Sequence, residues 1–138
     1  MKLKDIMTTQ VEVVRPDTSI VEAAGKMRSQ DVGSLPVVEG QRLVGVITDR
    51  DITIRVTAEG RDPKSTTVRE CLSPDPASAF EDQDVDDAVQ LMQQKQIRRL
   101  PVLNRDQQLV GIVALADLAA EGSKKDVART VREVSKPS

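Results

Sequence analysis

Each half of the chain contains one stretch in which apolar residues recur at positions i, i+3, i+4 and i+7, which predicts an amphipathic helix. The residues are Ile20, Ala23, Ala24 and Met27 in the first half, and Val85, Ala88, Val89 and Met92 in the second. Ser19 with Glu22 predicts a capping box at the start of the first helix. Asp84 with Asp87 predicts an acidic variant of that box for the second helix.

Two short apolar segments separated by turn residues follow each helix and predict a β-hairpin. They are residues 36–38 with 43–47, and residues 101–103 with 109–113. An extended segment precedes each helix, at residues 11–14 and around residues 78–80. A second helix closes each half. Residues 115–120 are good helix formers, whereas residues 51–57 favour a strand by propensity and are predicted helical because of their counterpart in the other half.

The two halves correspond residue by residue, which indicates an internal duplication. The matched pairs are Leu3 with Val68, Asp17 with Asp82, Leu35-Pro36-Val37 with Leu100-Pro101-Val102, Gly45 with Gly111, and Asp51 with Asp117. The order β-α-β-β-α therefore occurs twice in a mixed α/β fold. We expect the two repeats to pack sheet to sheet about a pseudo-two-fold axis, because a half of this size buries too little surface alone.

We expect three divisions along the chain. The first repeat with its connector takes residues 1–65, the second repeat takes residues 66–122, and a partly helical tail takes residues 123–138. Gly122 predicts the end of the last helix of the second repeat. The tail carries Val127, Val131 and Val134 at helical spacing among basic residues.

Composition excludes several kinds of chemistry. The net charge is −2 and Phe80 is the single aromatic residue, so the chain lacks both a basic surface and a set of rings for nucleic acid. There is no histidine and one cysteine, Cys71, which excludes a Cys–His nucleophile and argues against a zinc site. We expect Cys71 to make a small apolar contact. The acidic residues 81–87 lack the glycine and the bidentate glutamate of a calcium loop and predict a solvated helix start.

The opening residues lack the apolar segment of a signal peptide. No stretch approaches the roughly 18 apolar residues that a membrane-spanning helix needs. We therefore expect a soluble cytoplasmic protein that associates with neither membranes nor nucleic acid.

The duplicated motif resembles that of the CBS (cystathionine-β-synthase) domain: apolar-Pro-Val, a turn, then Gly-apolar-apolar-Thr-x-x-Asp. The matching segments are residues 35–37 with 45–51 in the first copy and residues 100–102 with 111–117 in the second. The leads that end in Met7-Thr8 and Leu72-Ser73 fit the opening of the family as well. The run Thr48 to Ile52 is similar to that of free-standing bacterial CBS pairs, including the hypoxic response type.

The resemblance implies two clefts between the repeats for adenosine ligands such as AMP, ADP, ATP or S-adenosylmethionine. It assigns the ribose to Asp51 and Asp117, because a carboxylate can accept hydrogen bonds from both ribose hydroxyls. The residues implied for the phosphate are Thr48, Arg50, Arg98 and Arg99. The apolar residues implied for the adenine ring are Val13, Val14, Leu35, Pro36, Ile97 and Pro101.

The two copies differ at these positions. Ala114 replaces the hydroxyl of Thr48, and residues 33–34 are Gly and Ser where residues 98–99 are both Arg. We therefore expect one occupied site, or two sites of unequal affinity. A plainer interpretation stays open, in which the aspartates stabilise helix starts, Thr48 is an ordinary cap and the arginines are solvated.

The resemblance implies a regulatory module that senses a ligand and signals in trans to an effector protein, and it implies a homodimer. The alternative is a scaffold for protein interaction whose clefts no longer bind a ligand. Nothing in the sequence pairs an acid or base with a nucleophile, so we expect no enzymatic activity and no obligatory cofactor.

Overall fold

A computed structural model describes residues 1–121, which form two compact units. One unit is Glu12–Pro76, called the first-repeat unit. The other, called the second-repeat unit, contains Met1–Val11 and residues 77–121. Each lead therefore folds into the unit of the other repeat, so the spatial units have boundaries different from those of the repeats in the sequence.

The first-repeat unit contains a three-stranded antiparallel sheet in the order β1-β2-β3. Its elements are α1 (Ile20–Gln30), β1 (Ser34–Glu39), β2 (Arg42–Thr48), α2 (Asp49–Ile52) with a π-helical turn (Thr53–Thr57), a 3₁₀ turn (Val68–Glu70) and β3 (Ser73–Pro74). Val14 adds a parallel bridge to Val37.

The second-repeat unit contains a three-stranded sheet in the order β4-β5-β6, with β4 parallel to β5 and β5 antiparallel to β6. Its elements are a 3₁₀ turn (Leu3–Asp5), β4 (Ala79–Phe80), α3 (Val85–Lys95), β5 (Arg99–Leu103), β6 (Leu109–Ala114) and α4 (Leu115–Glu121). Thr8 forms an antiparallel bridge with Ile112.

These elements confirm the predicted mixed α/β fold, and the strands form two three-stranded sheets. The second helix of the first repeat is confirmed despite its β-branched residues. Of the residues predicted extended at 11–14, Val14 is the one that pairs with a strand. The prediction for Gly122 and the predicted tail, residues 123–138, lie outside the described residues.

Each unit has its own hydrophobic core of aliphatic side chains. The first-repeat core contains Val14, Ile20, Ala23, Met27, Leu35, Val37, Ile47, Val56, Val68 and Cys71. The second-repeat core contains Leu3, Ala79, Val85, Ala88, Val89, Met92, Leu100, Val102, Val113, Leu115 and Leu118. The predicted apolar face of α3 is confirmed. That of α1 is wrong at Ala24, which is exposed, because the buried face of α1 is narrower than that of α3 and contains only Ile20, Ala23 and Met27.

The start of α1 confirms the Ser19 half of the predicted capping box, and the start of α3 does not show the predicted box. Ser19 caps α1, since its Oγ accepts a hydrogen bond from the backbone N–H of Glu22 at 3.2 Å. Asp84 occupies the equivalent position in α3, but its side chain makes no capping bond. The predicted acidic box is therefore wrong. One oxygen of the Asp84 carboxylate instead lies 3.5 Å from the amino group of Met1.

Candidate functional site

The turn between β2 and α2 holds Asp51 through a reciprocal pair of hydrogen bonds with Thr48. The backbone N–H of Thr48 donates to Asp51 Oδ2 at 3.0 Å, and the backbone N–H of Asp51 donates to Thr48 Oγ1 at 3.0 Å. This is the capping geometry of a helix start. The cap interpretation of Thr48 is thus confirmed. Its hydroxyl proton is still available to donate, so the cap is compatible with a ligand contact.

Asp51 is a buried carboxylate, 8% exposed. Besides the Thr48 N–H, it accepts a hydrogen bond from Ser73 Oγ, which lies 3.1 Å from Oδ1 and 3.3 Å from Oδ2. Sequence reasoning missed Ser73. The signal available was its position at the end of the second lead, where the first lead carries another hydroxyl, Thr8.

Asp49 adds a second carboxylate to the same turn. Its backbone N–H donates to the carbonyl of Gly33 at 2.9 Å, and its Oδ1 accepts from the backbone N–H of Arg50 at 2.8 Å. A Cβ atom on Gly33 would lie 3.0 Å from Asp49 Oδ2, so this carboxylate lies directly against the residue that replaces Arg98 of the second copy. The Arg50 side chain is exposed.

The turn between β6 and α4 has the same backbone arrangement, with fewer side-chain hydrogen bonds among residues 1–121. The backbone N–H of Ala114 donates to Asp117 Oδ2 at 3.2 Å, and the N–H of Leu115 donates to the carbonyl of Arg98 at 2.9 Å. Asp117 is half-buried, Arg98 is exposed and Arg99 is half-buried at the start of β5. The second repeat therefore carries two arginines where β5 begins and one carboxylate after β6, whereas the first repeat carries one arginine and two carboxylates in the turn after β2.

The motif glycines bring each lead close to the strand that ends at the candidate turn. A Cβ atom on Gly45 would lie 2.9 Å from the carbonyl oxygen of Ser73, and one on Gly111 would lie 3.0 Å from that of Thr8. A side chain at either position would push the lead away. The glycine in the Gly-apolar-apolar-Thr pattern is therefore a requirement of close packing.

The apolar residues predicted for an adenine ring are not equally accessible. Val14 is 1% exposed and Leu35 is 2% exposed, and both belong to the first-repeat core. Pro36 and Pro101 are buried within β1 and β5. Val13 and Ile97 are half-exposed and keep surface for a planar ligand. The Lys26 ammonium group donates to the carbonyl of Val13 at 2.9 Å.

Cys71 lies in the first-repeat core, which confirms the expected apolar contact. Burial raises the pKa of its thiol, so it carries little thiolate at neutral pH. Residues 1–121 contain no group of three or more His, Cys, Asp or Glu side chains arranged for a metal ion. Across that same part of the chain, no helix combines the length and apolar character that a membrane crossing requires.

The chain belongs to the CBS domain family, whose pattern matches residues 3–57 and 68–124. It is a CBS pair, similar to the CBS domain-containing protein YhcV of Bacillus subtilis, with 51% identity over 85% of this chain and 82% of that protein. It is also similar to hypoxic response protein 1 of Mycobacterium tuberculosis, with 33% identity over 97% of this chain and 94% of that protein. The expected resemblance to the hypoxic response type is confirmed.

Solved structures share this fold. Hypoxic response protein I with two coordinated zinc ions aligns at a TM-score of 0.80, with 34% identity over 89% of this chain and 100% of that one. The protein CBSX2 in complex with AMP aligns at 0.70, with 26% identity over 98% of both chains. The CBS pair of MJ0100 in complex with 5′-methylthioadenosine and S-adenosylmethionine aligns at 0.73, with 29% identity over 87% of this chain and 94% of that one.

Proposed function

We propose that this CBS pair is a regulatory module that binds an adenosine-containing ligand at its strand-to-helix turns and signals to a separate effector protein. The observation that carries the proposal is the duplicated carboxylate. Asp51 and Asp117 follow equivalent strands, and each is fixed by the backbone N–H three residues earlier, at 3.0 Å and 3.2 Å. The solved CBS pairs with AMP and with S-adenosylmethionine support adenosine as the common part of the ligand.

Each contacting group would recognise a different part of the ligand. The two aspartates would accept the ribose hydroxyls. Thr48 and Arg50 in one turn, and Arg98 and Arg99 in the other, would contact phosphate. Candidates for the adenine contact are Val14, Pro36, Ile97 and Pro101, and among them Ile97 keeps the accessible side chain. AMP, ADP, ATP and S-adenosylmethionine are the ligands to test.

The charges of the two turns support unequal sites. The first repeat carries Asp49, Arg50 and Asp51 in the turn after β2 and no charge at residues 33–34, whereas the second carries Asp117 after β6 and two arginines, Arg98 and Arg99, where β5 begins. A polyphosphate is attracted by the second arrangement and repelled by the extra carboxylate of the first. We therefore propose that ADP and ATP favour the second-repeat turn.

A panel of ligands tests the proposal through thermal unfolding. A ligand at 100 times its dissociation constant stabilises the folded protein by about 2.7 kcal/mol, which raises the melting temperature by several degrees. We expect a rise that is reduced by Asp51→Asn or Asp117→Asn and kept by the matched control Glu59→Gln, an exposed carboxylate of the first-repeat unit outside the turn. If folded protein shows no shift at millimolar concentrations of any of these ligands, the proposal fails and a scaffold for protein contacts takes its place.

We extend the proposal to a homodimer, because a module that signals in trans needs a surface for other chains. Two large apolar side chains of the first-repeat unit are exposed, Val21 at 46% and Ile54 at 45%. Analytical ultracentrifugation with and without AMP measures the state of association. A monomer under both conditions would contradict the extension and leave ligand binding untouched. The proposal includes no catalytic step.

A further inference from the structure

The Ser73 hydroxyl lies at the open end of the Asp51 carboxylate. Its Oγ is 3.1 Å from Oδ1 and 3.3 Å from Oδ2, so a single donor spans both oxygens. Two neighbouring ribose hydroxyls would approach from the same end, with one hydroxyl donating to each oxygen. The N–H of Thr48 donates to Oδ2 at 3.0 Å and is part of the helix cap. Ser73 is therefore the group that a ribose would have to replace.

The duplicated turn provides a comparison within the same chain. Ser73 pairs with Val46 on β2, and its counterpart Thr8 pairs with Ile112 on β6. The two backbones are thus placed alike. Within the described part of the chain, however, no hydrogen bond joins the Thr8 side chain to Asp117, which accepts from the Ala114 N–H instead.

We propose that the Ser73 hydroxyl is an internal competitor for the ribose at Asp51. The inference rests on the proposed function and adds regulation to it. The Asp51 carboxylate accepts from the Ser73 hydroxyl and the Thr48 N–H, whereas the Asp117 carboxylate is half-buried and, among the described residues, accepts from one fewer donor. The Asp117 site consequently fills at lower ligand concentration, and the Asp51 site fills once the ligand displaces Ser73.

Displacement needs a small movement only. The backbone of Ser73 is held by its pairing with Val46. The two carbonyls before it, those of Cys71 and Leu72, accept hydrogen bonds from the Arg55 guanidinium at 3.2 Å and 3.0 Å. Rotation of Ser73 about its Cα–Cβ bond therefore frees the carboxylate while β3 stays in register.

The test uses the full chain with Asp117→Asn, which leaves Asp51 as the one intact carboxylate of the pair, and AMP as the probe in calorimetry. Adding Ser73→Ala is expected to tighten AMP binding about tenfold, the effect of removing one competing hydrogen bond to a charged acceptor. Ser73→Cys, with a weaker donor in a similar volume, changes affinity in the same direction. The matched control Thr8→Ala leaves it unchanged.

A purely structural role for Ser73 predicts the opposite sign, since an Asp51 that is less well held would bind AMP more weakly. Weaker or unchanged binding with both Ser73 variants, in a protein that still needs Asp51 for AMP, overturns the inference and leaves the proposed function standing. If neither the unaltered protein nor any of these folded variants binds AMP or S-adenosylmethionine, the proposed function fails and the inference fails with it.

Discussion

Thr48 and Asp51 cap α2 reciprocally, each donating a backbone N–H to the other's side chain at 3.0 Å. The second repeat keeps one half of this arrangement, because Ala114 has no hydroxyl to accept the second bond. The two turns of the chain therefore differ in this hydroxyl, and its contribution to stability can be measured by removing it from one turn and adding it to the other.

Thr48→Ala is expected to lower the free energy of unfolding by about 1 kcal/mol, since it leaves the Asp51 N–H without its cap. Ala114→Thr is expected to raise it by a smaller amount, because the new hydroxyl can accept from the Asp117 N–H. Urea unfolding of both variants measures the two changes. Equal and small effects of the two substitutions would show that the hydroxyl is not a significant part of the cap.

The motif glycines are expected to differ in their tolerance of alanine. At Gly45 the new methyl group would meet the carbonyl oxygen of Ser73 at 2.9 Å, and backbone cannot easily move away. At Gly111 the Thr8 carbonyl oxygen would be slightly farther, at 3.0 Å, and the nearer atom, the Met7 sulfur at 2.5 Å, is on a flexible side chain. Both substitutions should destabilise by about 1–3 kcal/mol, with Gly45→Ala the worse. Thermal unfolding measures the loss of stability of each variant. A larger loss for Gly111→Ala than for Gly45→Ala would contradict the expected difference between the two contacts.

Two helices end at residues other than glycine in the left-handed region. Asp31 has φ 54° after α1, and Gln96 has φ 53° after α3. Gln96→Gly is expected to stabilise the protein by about 1 kcal/mol, because glycine adopts this conformation without a Cβ clash. The matched control is Gln90→Gly inside the same helix, which should destabilise by a similar amount. Chemical denaturation of both variants should give opposite signs.

Arg105 joins the turn between β5 and β6 to the segment after β4. Its guanidinium donates two hydrogen bonds to Asp82, at 3.0 Å and 2.8 Å, and lies 4.1 Å from the centroid of the Phe80 ring. The bonded guanidinium lowers the pKa of the Asp82 carboxyl below its ordinary value of 3.8. A carboxyl whose pKa is lower in the folded state stabilises above its unfolded pKa, and this contribution is lost as the pH falls through the folded value.

Arg105→Gln should therefore lower the melting temperature at pH 6, and the deficit should shrink as the pH falls below about 4. Any deficit left at low pH reports the contact with Phe80, which does not titrate. Arg42→Gln, at the exposed start of β2 in the other unit, is the control for loss of a positive charge. A deficit that is independent of pH would show that the ion pair contributes nothing.

Arg99 provides a test of ligand class. We expect Arg99→Gln to weaken ATP more than ADP, and to leave adenosine nearly unchanged, because the side chain is assigned to phosphate alone. Calorimetry at two salt concentrations should show a smaller salt dependence for ATP in the variant. An equal loss of affinity for adenosine and for ATP would contradict the assignment to phosphate and would show that Arg99 acts on the adenosine part of the ligand.

Sequence periodicity and internal duplication were sufficient to predict the order of the elements, since both are patterns along the chain that can be recognised without knowledge of tertiary contacts. The duplication also predicted a helix where local propensity favours a strand, at residues 53–57, and these residues form a helical turn. The error at Ala24 has another origin. Helical spacing identifies a face but not how wide a part of that face the rest of the unit covers.

The contacts that the sequence could not reveal depend on how distant segments meet. Ser73 reaches Asp51 because its lead folds onto the other repeat's strand, 22 residues away along the chain. The Asp84 carboxylate lies beside the amino group of Met1, 83 residues away, rather than on its own helix. The positions of the carboxylates were identifiable from the sequence, whereas the distant groups that contact them in the folded chain were not.

We propose that the duplicated aspartates bind an adenosine ligand, and calorimetry with AMP tests this binding most directly. We predict that Asp51→Asn and Asp117→Asn each remove a different part of the binding isotherm, and that the double variant stays folded and releases no heat of binding. Binding of AMP by the folded double variant with the affinity of the unaltered protein would contradict the claim.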